Sequence, residues 1–229
     1  MLGMIFGVGA VVSMLSIGAG AQQQVLAFIE QLGIRNLIVE AKDINDTEEL
    51  LKLRKISPGL SFKDLRVIRA NIAVLAGSTP RKRLVPNSLF PKPRLDMPGV
   101  YGIEPQFREV AGLRLVAGRF FTTDENERRA PVCVLGEGAK ANLFPQMQAV
   151  GESIRIHEQW FRIVGVLGSQ LVSQSELSGL KTQDLNNLIY MPINSMIYRV
   201  EDNRSHLRDE VDGLYLQLEK NADLDRRLR

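Results

Sequence analysis

The chain has 229 residues, with 29 basic side chains against 26 acidic ones and a net charge of +3. That length allows one or two domains with a sizeable core, and the near balance of charge argues against nucleic acid as a partner, which calls for a strongly basic face. A single cysteine, Cys133, excludes an intramolecular disulfide, so the core must hold the fold.

Residues 1–29 carry no charged side chain, and the first charge is Glu30. A helix over 1–21 would reach roughly 30 Å, the thickness of a bilayer core. The run therefore predicts a transmembrane helix, entered part-way along its length because no basic flank precedes it. A cleaved signal peptide is the main rival, with Ile17–Ala21 as a cleavage site. A buried soluble helix is the third reading, and five glycines in the first twenty residues weaken it. Gly3 and Gly7 form G-x-x-x-G, which lets a second membrane helix approach closely.

Val25, Phe28, Ile29 and Leu32 share one face of a helix over 21–32, which Gly33 is placed to end. Leu37-Ile38-Val39 reads as a short strand, and the charged stretch 43–56 as a surface helix. Ser61-Phe62-Lys63-Asp64 matches a capping box, with Leu65, Ile68 and Ile72 spaced for one helix face. Pro80, Pro86, Pro91, Pro93 and Pro98 then predict a break in regular structure over 77–99. Arg81, Lys82, Arg83, Lys92 and Arg94 make this stretch basic. It reads as a solvated linker, with a patch for anionic lipid or an acidic partner as the alternative.

Short strands and turns follow from Gly99 to Ile193. Val100–Ile103 and Leu113–Phe121 are strand candidates, and 122–130 reads as a polar loop with solvated Asp124, Glu125 and Glu127. Val132–Leu135 is a strand that buries Cys133, and a short helix follows near Ala139–Phe144. Ile154–Ile156 and Phe161–Val166 predict a hairpin turning near Glu158-Gln159. Residues 168–187 read as a long polar loop, and Ile189–Ile193 as a strand. Gly213–Leu218 alternates as a strand should, and a helix opens at Asn221. The expectation is that its C-terminal partner lies beyond Arg229.

Gly136-Glu137-Gly138-Ala139-Lys140-Ala141 spells G-x-G-x-x-A after a strand, with Glu158 about twenty residues on. Pro145 and Gly151 limit the following helix to about two turns, too short for a βαβ crossover, so a turn and cap is the better reading. Ser178-Gly179-Leu180-Lys181 matches S-x-x-K, but neither S-D-N nor K-T-G accompanies it. His157 and His206 stand in no metal-ligand pattern, and no G-x-x-x-x-G-K-[ST] occurs. No catalytic, cofactor-binding or metal-binding residue is assigned.

Three stretches together resemble the MacB-type ABC-transporter permeases. Leu2–Val12 running to Gly18-Ala19-Gly20 is similar to the first transmembrane helix of that family and its exit. Val100–Ile103 with Gly118-Arg119-Phe120-Phe121, Val134-Leu135-Gly136 and Leu143-Phe144 is the second stretch. Val150–Ile156 with Phe161–Val166 and Tyr190-Met191-Pro192 is the third. The resemblance implies an α+β fold on the extracytoplasmic side of a bacterial plasma (inner) membrane. It implies a porter-like subdomain from 22–76 and 199–229, and a linker with an inserted, mainly β, sabre-like subdomain over 77–198.

The partners implied are an ABC ATPase domain or subunit, a second permease copy forming a dimer, membrane lipid and, for some members, a periplasmic adaptor. ATP would be hydrolysed elsewhere, and no cofactor is implied here. A membrane-anchored or secreted binding module is the alternative. A membrane-anchored hydrolase is a third class, disfavoured because no nucleophile–base pair is apparent.

Overall fold

A computed structural model of the chain describes residues 14, 20, 36–41, 59–72, 75–169, 186–200 and 209–218. Apart from residues 14 and 20, the expected transmembrane helix over 1–21 lies outside those residues, as do the helices over 21–32 and 43–56, most of the loop over 168–187 and the helix opening at Asn221. No helix among the described residues is long and apolar enough to cross a membrane.

Ten strands among the described residues form one mixed sheet. They are β1 (Asn36–Glu40), β2 (Leu75–Leu84), β3 (Leu89–Phe90), β4 (Gly99–Ile103), β5 (Leu115–Gly118), β6 (Val132–Leu135), β7 (Ser153–Ile156), β8 (Gln159–Leu167), β9 (Leu188–Pro192) and β10 (Gly213–Leu218). Their order is β1-β10-β2-β4-β9-β6-β8-β7-β3, with β5 also paired to β8. The expected hairpin is present: Ile154 faces Phe161 and Ile156 faces Gln159 in the β7–β8 register. Its turn contains His157, held at a φ of 53°.

The helices described from Asn36 on are short and follow local signals. Helix α1 (Phe62–Asn71) starts at the expected capping box, where the Ser61 hydroxyl accepts from the Asp64 N–H. Leu65 is its buried residue, Ile68 is half-buried, and Ile72 is the exposed C-cap rather than part of the buried face. Among the described residues from Asn36 on, the other helices are α2 (Phe107–Val110), α3 (Thr123–Glu127), α4 (Glu137–Leu143) and α5 (Ile193–Arg199).

Two expectations are corrected here. The polar loop at 122–130 contains α3, because Thr122 and Glu125 form a second capping box. Glu125 is not merely solvated: its two carboxylate oxygens accept from Arg119 at 2.7 Å each. The proline-rich stretch is also not uniformly irregular. Strand β2 runs through Pro80, which pairs with Leu214 on one side and stands one residue before the β4 ladder begins at Arg81. Arg81 turns its carbonyl to the β10 side, where it accepts from Asp212, so the missing N–H of Pro80 faces the β4 side, where no ladder has yet begun. Lys82 is 4% exposed, so the basic run is built into the sheet and is not a solvated linker.

Period-two alternation sorts the strand residues onto two faces. One face carries Tyr101, Ile103, Val134, Leu188 and Tyr190, in one cluster with Phe107, Leu113, Phe120 and Phe121. The opposite face carries two separate clusters. Leu84, Val100, Leu135, Ile154, Phe161, Ile189 and Met191 pack with Ala139 and Leu143 of α4 and Met196 of α5. Leu214 and Leu216 of β10 pack with Leu65 of α1 and with Val211. Each fully buried Leu, Ile or Phe contributes about 1.5–3 kcal/mol, so these clusters are the main source of stability.

Candidate functional site

The residues that tempt a catalytic reading are occupied in other ways. Gly136 and Gly138 do not form an open cradle. A Cβ on Gly136 would lie 2.4 Å from the Asn186 carbonyl oxygen, and one on Gly138 would lie 2.8 Å from the Asn186 carbonyl carbon. The glycines therefore admit the incoming chain at 186–187, and its backbone fills the space a phosphate would need. Helix α4 is two turns long, as expected.

Cys133 is fully buried, and desolvation pushes its thiol far above the ordinary range, so it stays protonated and inert. His157 is a structural tie: its Nε2 accepts from the Asn87 N–H at 3.1 Å, and its own N–H donates to the Ser88 carbonyl at 2.9 Å. Among the described residues, no group of three or more His, Cys, Asp or Glu is placed to hold a metal ion. Ser178, Lys181 and His206 lie outside the described residues.

Two features remain that a function can use. The first is an exposed face at the β3 edge of the sheet. Alternation sends Ile154, Ile156, Phe161 and Ile163 inward and leaves Arg155, Trp160 and Arg162 outward. Phe90 meets Trp160 edge to face with ring centroids 6.1 Å apart, and the Arg155 guanidinium stands 5.9 Å from the Trp160 ring. Phe90 and Trp160 are each about half exposed. A shallow open groove of about 370 Å³ is lined in part by Lys92, Leu95 and Met97. This set suits protein contact better than small-molecule chemistry, since exposed aromatic and arginine side chains are the types that anchor interfaces.

The second feature is a junction on β2. Its first half, Leu75 to Pro80, pairs only with β10, and its second half, Lys82 to Leu84, only with β4. Arg81 is the one register position paired on both sides, with Gly213 and with Ile103. Its side chain gathers three further strands. Nη1 donates to the Tyr215 hydroxyl at 2.8 Å, Nη2 pairs with the Glu40 carboxylate, and the guanidinium lies 4.7 Å from the Tyr101 ring centroid. Burial works against the Arg81 charge, but Tyr215, Tyr101 and Glu40 outweigh it and hold the guanidinium above its ordinary value. Burial in turn raises the Tyr215 phenol, with Arg81 opposing that shift.

The model of the MacB-like periplasmic core domain matches residues 1–226. The chain belongs to this family. It is 27% identical over 224 residues to a macrolide export ATP-binding/permease protein MacB of Bdellovibrio bacteriovorus, covering 98% of this chain and 32% of that protein. It is 31% identical over 174 residues to the MacB protein of Campylobacter jejuni, covering 73% of this chain and 25% of that protein. This chain thus spans about a third or less of the curated relatives it matches.

The fold is shared with the periplasmic region of MacB from Actinobacillus actinomycetemcomitans, at a TM-score of 0.62 and 17% identity over 87% of this chain and 82% of that one. It is also shared with the extracellular domain of the noncanonic ABC-type transporter YknZ, at a TM-score of 0.56 and 14% identity over 82% of this chain and 87% of that one. The MacB-like domain is therefore a mixed α/β periplasmic part of an ABC-transporter permease, on the extracytoplasmic side of a membrane protein. It is not the enzymatic part.

Sequence reasoning did not single out the β2 junction or the aromatic edge. The alternation of Arg155 and Trp160 with buried isoleucines and Phe161 was signal enough for the edge. The junction left no local signal, because Glu40, Arg81, Tyr101 and Tyr215 meet only through the strand order.

Proposed function

We propose that this chain passes ATP-driven motion from membrane helices to an outer domain that contacts cargo or a partner protein. The observation that carries the reading is the family match. It includes the charge-free run at 1–21 as well as the mixed α/β part. In this account 1–21 is a transmembrane helix of bilayer length. Residues 22–76 with 199–229 form a porter-like part, and 77–198 a sabre-like insertion. The active unit is a dimer of permease copies, served by an ABC ATPase domain or subunit inside the cell and, where one is used, by a periplasmic adaptor. The relatives are named for macrolide export, which makes a macrolide the first cargo to try.

A rigid path from Gly20 into the porter-like part is what the mechanism needs. Inserting four glycines after Gln24 of the intact transporter breaks that path without touching the nucleotide site. ATP hydrolysis should hold near its original rate, and ATP-dependent efflux of a macrolide should be abolished. Efflux unchanged by the insertion would refute mechanical transmission through this segment.

A further inference from the structure

We infer that the consecutive run Arg81-Lys82-Arg83 is a latch that holds two halves of the sheet together as one body. The halves are defined by their cores. Strands β1 and β10 pack with α1 around Leu65, Val211, Leu214 and Leu216. Strands β4, β9, β6, β8 and β7 pack with α4 and α5 around a separate cluster on the same face of the sheet. Between these clusters runs β2, whose buried positions on that face before Leu84 are Ser78, Pro80 and Lys82, none of them a large apolar side chain. The backbone ladder across the gap overlaps at one register position, Arg81. With the core on this face interrupted and the two ladders overlapping at one residue, side-chain contacts carry much of the join between the halves.

Each residue of the run grips the chain that returns at 209–218. Arg81 donates to the Tyr215 hydroxyl and pairs with Glu40, while its guanidinium also lies against Tyr101 from the other half. Lys82 donates from Nζ to the Glu210 carbonyl at 3.1 Å. The Arg83 N–H donates to Asp212 Oδ2 at 2.6 Å. On the other face of the sheet the Phe107 ring packs edge to face on Tyr215 with centroids 4.9 Å apart, and Arg69 pairs with Glu104 near the surface. Arg81 is the central tooth, because planar, buried, charge-assisted donors are strong and geometrically demanding. With the latch intact the halves move together. With it broken, the β1–β10 half opens from β2 on its own. The inference concerns the sheet itself and stands whether or not the domain transmits motion.

Hydrogen–deuterium exchange on the intact protein tests it, comparing wild type with Arg81→Met, Tyr215→Phe and Glu40→Gln. Met keeps the length of the side chain but none of its donors. Exchange at β1 and β10 should rise roughly tenfold or more in Arg81→Met, the size expected from losing charged hydrogen bonds. Exchange at β6, β8 and β9 should stay at the wild-type rate. Tyr215→Phe and Glu40→Gln should show smaller rises confined to the same two strands, and they decide the matter if Arg81→Met does not fold. Unchanged exchange at β1 and β10 would overturn the inference, and so would a rise shared equally by β6, β8 and β9.

Discussion

Replacing Gly165 by alanine is a sharp test of the packing described above. Gly165 on β8 stands opposite Gly118 on β5, where the two backbones cross in close contact. A Cβ at Gly165 would lie 2.2 Å from the Arg119 carbonyl oxygen and 3.1 Å from its carbonyl carbon. A carbon–oxygen contact wants roughly 3.3 Å, so the strands would have to part by about 1 Å. The N–H of Arg119, which donates to the Val164 carbonyl at 2.9 Å, would be pulled away with them. Overpacking of this kind costs about 1–3 kcal/mol and a lost backbone hydrogen bond about 1 kcal/mol more. A total near 2–4 kcal/mol corresponds to a fall in Tm of about 4–16 °C for a chain of this size. Gly112→Ala is the control: its Cβ would meet open space, and only the φ of 63° opposes it. That strain is about 1–2 kcal/mol. Thermal unfolding by circular dichroism compares the two. If Gly165→Ala melts no lower than Gly112→Ala, the close crossing of β5 and β8 is wrong.

Two further outcomes are expected. Arg119 hydrogen-bonds the Glu125 carboxylate and, against the opposing effect of burial and with help from the Thr122 N–H, holds it below the ordinary carboxylate range. A lowered folded value gives stability that is present above the unfolded value and is lost as pH falls through the folded one. Glu125→Gln should therefore destabilise at pH 7 by no more than about 1 kcal/mol, since Arg119 is half exposed, and the difference should shrink as pH falls below the ordinary carboxylate range. Urea unfolding across that pH range reads this, and a difference that grows on acidification would contradict it. Asn142 is buried, accepting from the Arg94 and Leu95 N–H groups and donating to the Asp96 carbonyl at 2.8 Å each. Asn142→Ala should cost about 1–3 kcal/mol and speed amide exchange at residues 94–95, while unchanged exchange there would show that the side chain does not hold that loop.

The elements most legible in the sequence were those whose signal is local. Val132–Leu135 is a short apolar run, Ile154–Ile156 and Phe161–Ile163 alternate, and Ser61 with Asp64 spells a capping box; all appear where expected. The same capping logic applied at Thr122 and Glu125 would have found α3, but the acidic composition of 122–130 read as loop. Pro80 misled for a different reason. A proline excludes a strand only where the neighbour its missing N–H would face needs that donor, and Pro80 faces the β4 side one residue before that ladder begins. The junction was illegible because its members, at positions 40, 81, 101 and 215, are joined by tertiary pairing alone. The family resemblance reached further than the elements did, because order and spacing along the whole chain carried it.

The central claim is that motion driven by ATP inside the cell arrives in this domain outside it. The most direct measurement places a spin label at Val116→Cys, a position 71% exposed, in the intact transporter. The native Cys133 of this chain is fully buried and should stay unlabelled. The distance between the labels of the two copies is then measured by pulsed electron–electron resonance, without nucleotide and with ATP trapped at the ATPase. The account predicts two different distance distributions, with the shift lost when four glycines are inserted after Gln24. Identical distributions in both states, with ATP hydrolysis proceeding, would contradict it.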